Sequence, residues 1–215
     1  MKGLVLLAAG VIFTGCIASF AQTPSASGAV VSRYEAMLAR LKSGDTKIDY
    51  GALRLAYSET KDALPAGADH GVRQAMTTAL LNKKYPDFFK MADEILKTTY
   101  LSPETHAALS TAYRETGDVQ KAEFHKAVYL GLINSILATG DGKTTETAYT
   151  VITIEEEYTV MRALGYSVWN EVMGVKGGHN FNLLSGTNET THETVIMYFN
   201  IDTPKAMQNR KNPQP

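Results

Sequence analysis

Apolar residues recur at intervals of three and four positions along most of the chain from residue 30 to residue 138. This period places apolar side chains on one face of an α-helix, so the region is predicted to be helical. Ser102 before Pro103, and Asp118 after a glycine, mark two helix starts, because such side chains accept hydrogen bonds from the first free backbone amides. The predicted elements are helices over 30–42, 72–82, 86–96, 102–115 and 118–137, and a short helix or turn over 48–57.

The last helices of this region repeat with a fixed spacing. A shift of 34 positions pairs Phe88 with Ala122 and Ile95 with Tyr129, and the tetratricopeptide repeat has this period. We therefore predict a tetratricopeptide-like part of antiparallel helices over 30–138. Two such units are fewer than the three that an independent array usually needs, so another part of the chain must cover the last helix.

Beyond residue 138 the pattern changes to the alternation that is typical of β-strands. We expect a small α+β part over 139–203, in which one helix packs on an antiparallel sheet of three or four strands. The predicted fold class of the whole chain is α+β, and the polar residues 204–215 are predicted to be a frayed tail. The expected strands cover 145–154, 179–184 and 193–201, with a valine-containing segment over 166–175 and a helix over 155–164.

The first 21 residues have the pattern of a secretory signal peptide. Lys2 precedes an uncharged apolar run over 4–13, and the small residue Ala21 fits a cleavage site. The run is too short to cross a bilayer as a helix, which takes about 20 apolar residues. We therefore expect an exported protein, periplasmic or secreted, that is cleaved after Ala21 and has no membrane span. A flexible spacer rich in Ser, Pro, Gly and Ala follows over 22–29.

The single cysteine leaves an alternative open for this segment. Phe13-Thr14-Gly15-Cys16 resembles a bacterial lipobox, in which Cys16 carries a lipid and anchors the protein to a membrane. One cysteine excludes an internal disulfide and a zinc site built from several thiolates. The 21 basic and 22 acidic residues give a net charge of −1, which excludes a generally basic nucleic-acid binder.

Candidate chemistry is sparse. Three consecutive carboxylates begin at Glu155, and they either complement the dipole of a helix N-terminus or supply acid–base groups with separated pKa values. His125 lies on or beside the apolar stripe of the longest helix, where it is either a hydrogen-bonded core residue or a catalytic base. The catalytic candidates are thus His125, Glu156 and Glu157, and the binding candidates are His106, Tyr129 and Tyr158.

No cofactor or metal ion is predicted. The segment 140–144, Gly-Asp-Gly-Lys-Thr, lacks the preceding glycine of a phosphate-binding loop, where Leu137 stands, and it follows a helix rather than a strand. The five histidines show no spacing typical of a metal site.

Several short segments occur together in a fixed order. They are Asp49-Tyr50, Leu53-Arg54, Gly131-Leu132, Gly140-Asp141-Gly142, Thr147-Ala148-Tyr149, Glu156-Glu157-Tyr158 and Tyr198-Phe199-Asn200-Ile201-Asp202. Over about residues 45–202 this set resembles a bacterial family of exported envelope proteins, domain of unknown function 4919. The resemblance implies a bacterial source and brings no activity or site residue.

The sequence supports two functional hypotheses. The first is a non-catalytic binding or scaffolding module of the cell envelope, whose partner is another envelope protein or a peptide. The repeat-like helices and the lack of a catalytic motif favour it. The alternative is an envelope hydrolase that uses His125 with Glu156 or Glu157, since a base must lie within hydrogen-bond reach of its partner.

Overall fold

The structure is a computed structural model that describes residues 26–66 and 70–212. The predicted signal peptide and Cys16 lie outside these residues. The described elements are α1 (Ala26–Lys42), α2 (Tyr50–Ser58), α3 (His70–Leu81), α4 (Tyr85–Thr98), α5 (Pro103–Glu115), α6 (Val119–Leu137), β1 (Tyr149–Thr150), α7 (Ile154–Ala163), β2 (Tyr166–Lys176), β3 (His179–Asn188), β4 (Thr194–Asn200) and α8 (Asp202–Lys211).

The helical region follows the apolar pattern closely. Consecutive helices pack on one another from α3 to α6. Both predicted caps are present, because the Ser102 side chain accepts from the Thr105 amide and the Asp118 side chain accepts from the Lys121 amide. Helix α2 also packs against α6. There Gly131 leaves room for a tyrosine of α2, since a Cβ atom at position 131 would lie 2.2 Å from that ring.

The α+β fold class is confirmed, with a mixed sheet in place of the antiparallel one expected. Strands β2, β3 and β4 pair antiparallel in sequence order, and β1 pairs parallel with the far side of β4. A parallel pair needs a long crossover connection, and helix α7 with strands β2 and β3 provides it between β1 and β4. The predicted strand over 145–154 shortens to two residues, since Thr144 and Thr147 hydrogen-bond within a turn instead.

Helix α6 carries the core of the molecule on two sides. Val128 and Leu132 pack into an apolar cluster with α1 and α2, whereas Ile133 and Ile136 pack into a second cluster with the sheet and α7. The sheet and α7 therefore cover the last helix of the repeat-like region, as its two-unit repeat requires. Apolar side chains fill the seam between this helix and the sheet. A third cluster joins α3, α4 and α5.

The two ends of the described chain differ from the sequence-based expectation. Helix α1 begins at Ala26, inside the segment predicted to be a spacer over 22–29. Residues 204–211 belong to helix α8 rather than to a frayed tail. Met207 explains this helix, because it is buried in the cluster of α1, α2 and α6, and Arg210 donates a hydrogen bond to the Ser58 carbonyl.

Candidate functional site

Three consecutive glutamates open helix α7, and all three are buried. We call Glu155, Glu156 and Glu157 the α7 glutamates. Acidic side chains suit the first turn of a helix because they complement its dipole, but they are almost never fully buried without partners. Successive helical positions point in different directions, and each of the three carboxylates accordingly contacts a different element.

Glu156 forms a buried ion pair with Arg54 of α2. The Arg54 Nε atom donates to Oε1 at 2.8 Å and its Nη2 atom donates to Oε2 at 2.7 Å. The two side chains are 4% and 1% exposed. The Ile152 amide also donates to Oε2 at 2.8 Å, and Arg54 donates to the Thr150 carbonyl. This carboxylate is fully engaged, and its contacts fix α7 and the end of β1 against α2.

Glu157 faces the sheet. The side-chain amide of Asn182, on strand β3, donates to Glu157 Oε2 at 3.0 Å and to Glu171 Oε1 at 2.8 Å. Burial raises the pKa of Glu157 to about 8, because a low-dielectric environment disfavours the charged form. Tyr158 donates to Glu171 Oε2, which fixes its ring at the side of α7.

Glu155 faces the helical region, where its two oxygens have different partners. The Ser102 hydroxyl donates to Oε1 at 2.7 Å. The Oε2 atom lies 3.4 Å from Nη1 of Arg73, which is an ion-pair distance with no hydrogen bond. Burial raises the pKa of Glu155 above its usual range.

A cavity of ~600 Å³ lies beside Glu155, where helices α3, α5 and α7 converge. We call it the α3–α5–α7 cavity. Its wall combines charged groups of both signs with apolar and aromatic surface, as small-molecule sites do. The lining residues are Ala66, His70, Arg73, Gln74, Thr77, Thr78, Glu104, Ile154, Glu155, Tyr158 and Arg162.

Arg73 is the lining residue with the most unused hydrogen-bonding capacity. Its side chain is 19% exposed, and its Nε atom is buried without a hydrogen-bond partner among the described residues. Its Nη1 atom reaches Glu155 at 3.4 Å and Glu104 at 3.8 Å. A guanidinium has five N–H donors. Arg162 differs, because it donates to Glu104 Oε1 at 3.0 Å.

Two predicted site residues, His106 and His125, meet in the interface of α5 and α6. Their Nδ1 atoms are 2.8 Å apart, and Nε2 of His106 lies 2.8 Å from the Tyr100 carbonyl. A carbonyl only accepts, so His106 carries its proton on Nε2, and its Nδ1 accepts from His125. Burial lowers the pKa of His106 to about 3 and that of His125 to about 4. Both imidazoles are therefore neutral near pH 7.

The structure separates the other predicted site residues. Tyr158 lines the α3–α5–α7 cavity, whereas Tyr129 is partly buried and packs against the apolar cluster of α6, α7 and the sheet. Among the described residues, His125 makes no hydrogen bond to Glu156 or Glu157. No contact among the described residues therefore joins the three catalytic candidates, and the hydrolase hypothesis stays a sequence-based prediction.

Several residues whose side chains could bind a ligand were not predicted as site residues from the sequence. His179 pairs with Asp202 at 2.6 Å, at the start of α8. Arg73, Glu104 and Arg162 line the cavity from three helices that are far apart in the chain. No short motif connects such positions, so only the tertiary structure brings them together. Glu104 alone has a local signal, because it follows Ser102-Pro103 in the first turn of α5, where an acidic side chain complements the helix dipole.

The comparisons with known proteins identify the family of the chain. Residues 28–210 match domain of unknown function 4919, and the protein belongs to this family. No curated protein and no solved structure matches the chain. Within the described residues, no helix combines the length and hydropathy needed to cross a bilayer, and no three or more His, Cys, Asp or Glu side chains form a group that could hold a metal ion.

Proposed function

We propose that this protein is a non-catalytic binding module that holds a small molecule with a carboxylate group in the α3–α5–α7 cavity. One observation carries the proposal: Arg73 lies in the cavity wall with a guanidinium that makes no hydrogen bond to the described protein. Unpaired polar groups in a buried setting cost free energy. A ligand carboxylate supplies the missing acceptors, because its two oxygens match the geometry of the guanidinium fork.

The size and position of the cavity support a binding role. About 600 Å³ lies within the range of small-molecule sites. Helix α7 carries Glu155 and Tyr158 in the cavity wall, and the buried Glu156–Arg54 pair ties this helix to α2. A wall with fixed side chains loses less entropy when a ligand binds.

The cellular setting belongs to the same proposal. The N-terminal sequence pattern supports export to the periplasm or the medium, with a lipid anchor at Cys16 as the alternative. The order in which α3 to α6 pack agrees with a tetratricopeptide-like arrangement, and such helices often present a concave surface to a partner protein or peptide. Metabolic labelling with palmitate distinguishes soluble export from lipid anchoring. An anchored protein incorporates the label and loses it in Cys16→Ala, whereas a protein cleaved after Ala21 incorporates none.

The binding role is tested by ligand-observed NMR on the purified protein. The probes are acetate, succinate, 3-phenylpropanoate and L-phenylalanine, each at millimolar concentration. We expect at least one carboxylate to show saturation transfer that Arg73→Met abolishes. The matched control is Arg114→Met, because Arg114 is an exposed arginine on α5 with only a 3.7 Å ion pair. Transfer that persists in Arg73→Met, or no transfer from any probe, contradicts the proposal.

A further inference from the structure

The charges around Arg73 narrow the class of ligand. Resting on the proposed function, we infer that the α3–α5–α7 cavity takes a zwitterion of the amino-acid class. The ligand carboxylate binds Arg73, and its ammonium group binds Glu104 and Glu155. Arg73 Nη1 lies 3.8 Å from Glu104 and 3.4 Å from Glu155, so one cationic group and two carboxylates share a small region of the wall.

Each of the two carboxylates keeps one oxygen without a hydrogen bond from the described residues. Glu104 uses Oε1 for Arg162 at 3.0 Å, and Glu155 uses Oε1 for Ser102 at 2.7 Å. The remaining Oε2 atoms reach Arg73 only at ion-pair distance. An ammonium group carries three donors and no acceptor, so it fits between two such oxygens.

A ligand with a single charge fits this wall less well. An anion that binds Arg73 enters the field of two carboxylates, and a cation that binds the carboxylates enters the field of Arg73 and Arg162. Like charges at such distances repel, and the repulsion grows where water is excluded. A zwitterion places an opposite charge against each group and avoids both penalties.

The apolar part of the wall indicates the side chain of the ligand. Ala66, Ile154 and Tyr158 line the same cavity. The Tyr158 hydroxyl is held by Glu171 at 2.5 Å, so its ring is a fixed surface. Aromatic rings pack well against other rings and against aliphatic groups. We therefore expect a preference for amino acids with aromatic or large aliphatic side chains.

Isothermal titration calorimetry with three matched probes tests this inference. L-phenylalanine carries both charges, 3-phenylpropanoate lacks the ammonium group, and 2-phenylethylamine lacks the carboxylate. We expect L-phenylalanine to bind about tenfold or more tightly than either analogue, since each loses a hydrogen-bonded charge. Inorganic phosphate is the fourth probe, because a guanidinium also donates hydrogen bonds to the oxygens of this anion.

Two variants separate the parts of the site. We expect Glu104→Gln to weaken the binding of L-phenylalanine about tenfold, because the ammonium group loses a charged acceptor. The same variant should bind 3-phenylpropanoate as well as the unsubstituted protein or better, because a charge that repels its carboxylate is gone. Arg73→Lys should weaken both, since it keeps a charge but loses the fork. Unchanged melting temperatures show that the variants fold.

The outcomes distinguish the inference from the proposed function. If 3-phenylpropanoate binds as tightly as L-phenylalanine and depends on Arg73, the cavity is a carboxylate site and the zwitterion inference is wrong. If phosphate binds more tightly than every organic probe, both the inference and the carboxylate proposal are wrong. If none of the four binds at millimolar concentration, both are likewise contradicted.

Discussion

Burial decides the protonation state of single residues in this protein. Glu157 is 0% exposed, and its carboxylate has an Asn182 amide as its hydrogen-bond donor in place of a cationic partner. Its neighbour Glu156 is just as buried but is paired with Arg54. Two adjacent glutamates of one helical turn thus have different partners, and burial raises the pKa of Glu157 to about 8, which favours its neutral form.

Substitution of Glu157 tests this assignment through the pH dependence of stability. The folded protein holds a proton on Glu157 up to a pKa of about 8, whereas the unfolded chain releases it near pH 4.5. The stabilisation is therefore complete below pH 4.5 and is lost as the pH rises to 8. We expect Glu157→Gln to raise the free energy of unfolding at pH 8 by about 1–3 kcal/mol and to change it little at pH 4.5.

Urea denaturation from pH 4 to pH 9 measures this difference. Glu94→Gln is the matched control, since Glu94 is an exposed glutamate on α4. The same pH profile in Glu157→Gln and the unsubstituted protein would show that Glu157 is ionised in the folded state.

Helix α7 illustrates how far local sequence determines an element. The helix predicted over 155–164 lies within one residue of the observed Ile154–Ala163, because the glycine that closes it is a local signal. The caps at Ser102 and Asp118 were correct for the same reason. The partners of the α7 glutamates were not predicted, since Arg54, Ser102 and Asn182 come from three distant elements.

Two other elements show why the remaining differences arose. Helix α8 was missed because its sequence is almost entirely polar, and its position depends on the tertiary burial of Met207. Strand β1 was overestimated because threonine-rich alternation is also compatible with the turn that residues 144–147 form. Propensity decides such segments only when packing does not override it.

The Glu156–Arg54 pair offers a test at the scale of the element. Arg54→Met leaves a buried carboxylate without its partner, so we expect it to lower the free energy of unfolding by about 3–5 kcal/mol. The double variant Arg54→Met/Glu156→Gln should cost less than the sum of the two single variants. Chemical denaturation of the four proteins gives the coupling energy directly.

A matched control for this pair lies on the surface. Arg40 donates to Asp45 from Nε at 3.1 Å and from Nη2 at 2.7 Å, as Arg54 does to Glu156. The side chains of Arg40 and Asp45, however, are 60% and 38% exposed. We expect Arg40→Met to cost less than about 1 kcal/mol, because exposed pairs are screened by solvent. If Arg40→Met and Arg54→Met lower the free energy of unfolding equally, or if the double variant is strictly additive, burial does not set the strength of the Glu156–Arg54 ion pair.

At the scale of the whole molecule, the contact between α6 and the sheet is filled with apolar side chains, whereas the α3–α5–α7 cavity is open. Tyr129, one of the binding candidates predicted from the sequence, lies at the contact between α6 and the sheet, where apolar side chains fill the seam. The ~600 Å³ of space lies on the other side of α7, among helix starts. Of the binding candidates predicted from the sequence, Tyr158 alone lines this cavity, and the charged groups that define its chemistry became visible only in three dimensions.

The NMR signal of the Arg73 side chain reports most directly whether a carboxylate ligand binds in the α3–α5–α7 cavity. The Nε atom of Arg73 is shielded from solvent and has no hydrogen-bond partner among the described residues, whereas Nε of Arg54 donates to Glu156 at 2.8 Å. Arginine Nε–H resonances of the two residues, assigned through Arg73→Met and Arg54→Met, thus provide a probe and an internal reference. We expect the shielding of this nitrogen from solvent to slow the exchange of its proton.

L-phenylalanine is titrated into the labelled protein while both signals are followed. We expect a saturable shift of the Arg73 Nε–H resonance and an unchanged Arg54 resonance, because the ligand carboxylate engages one guanidinium and leaves the other in its ion pair. Saturable binding that leaves the Arg73 resonance unmoved would contradict the account.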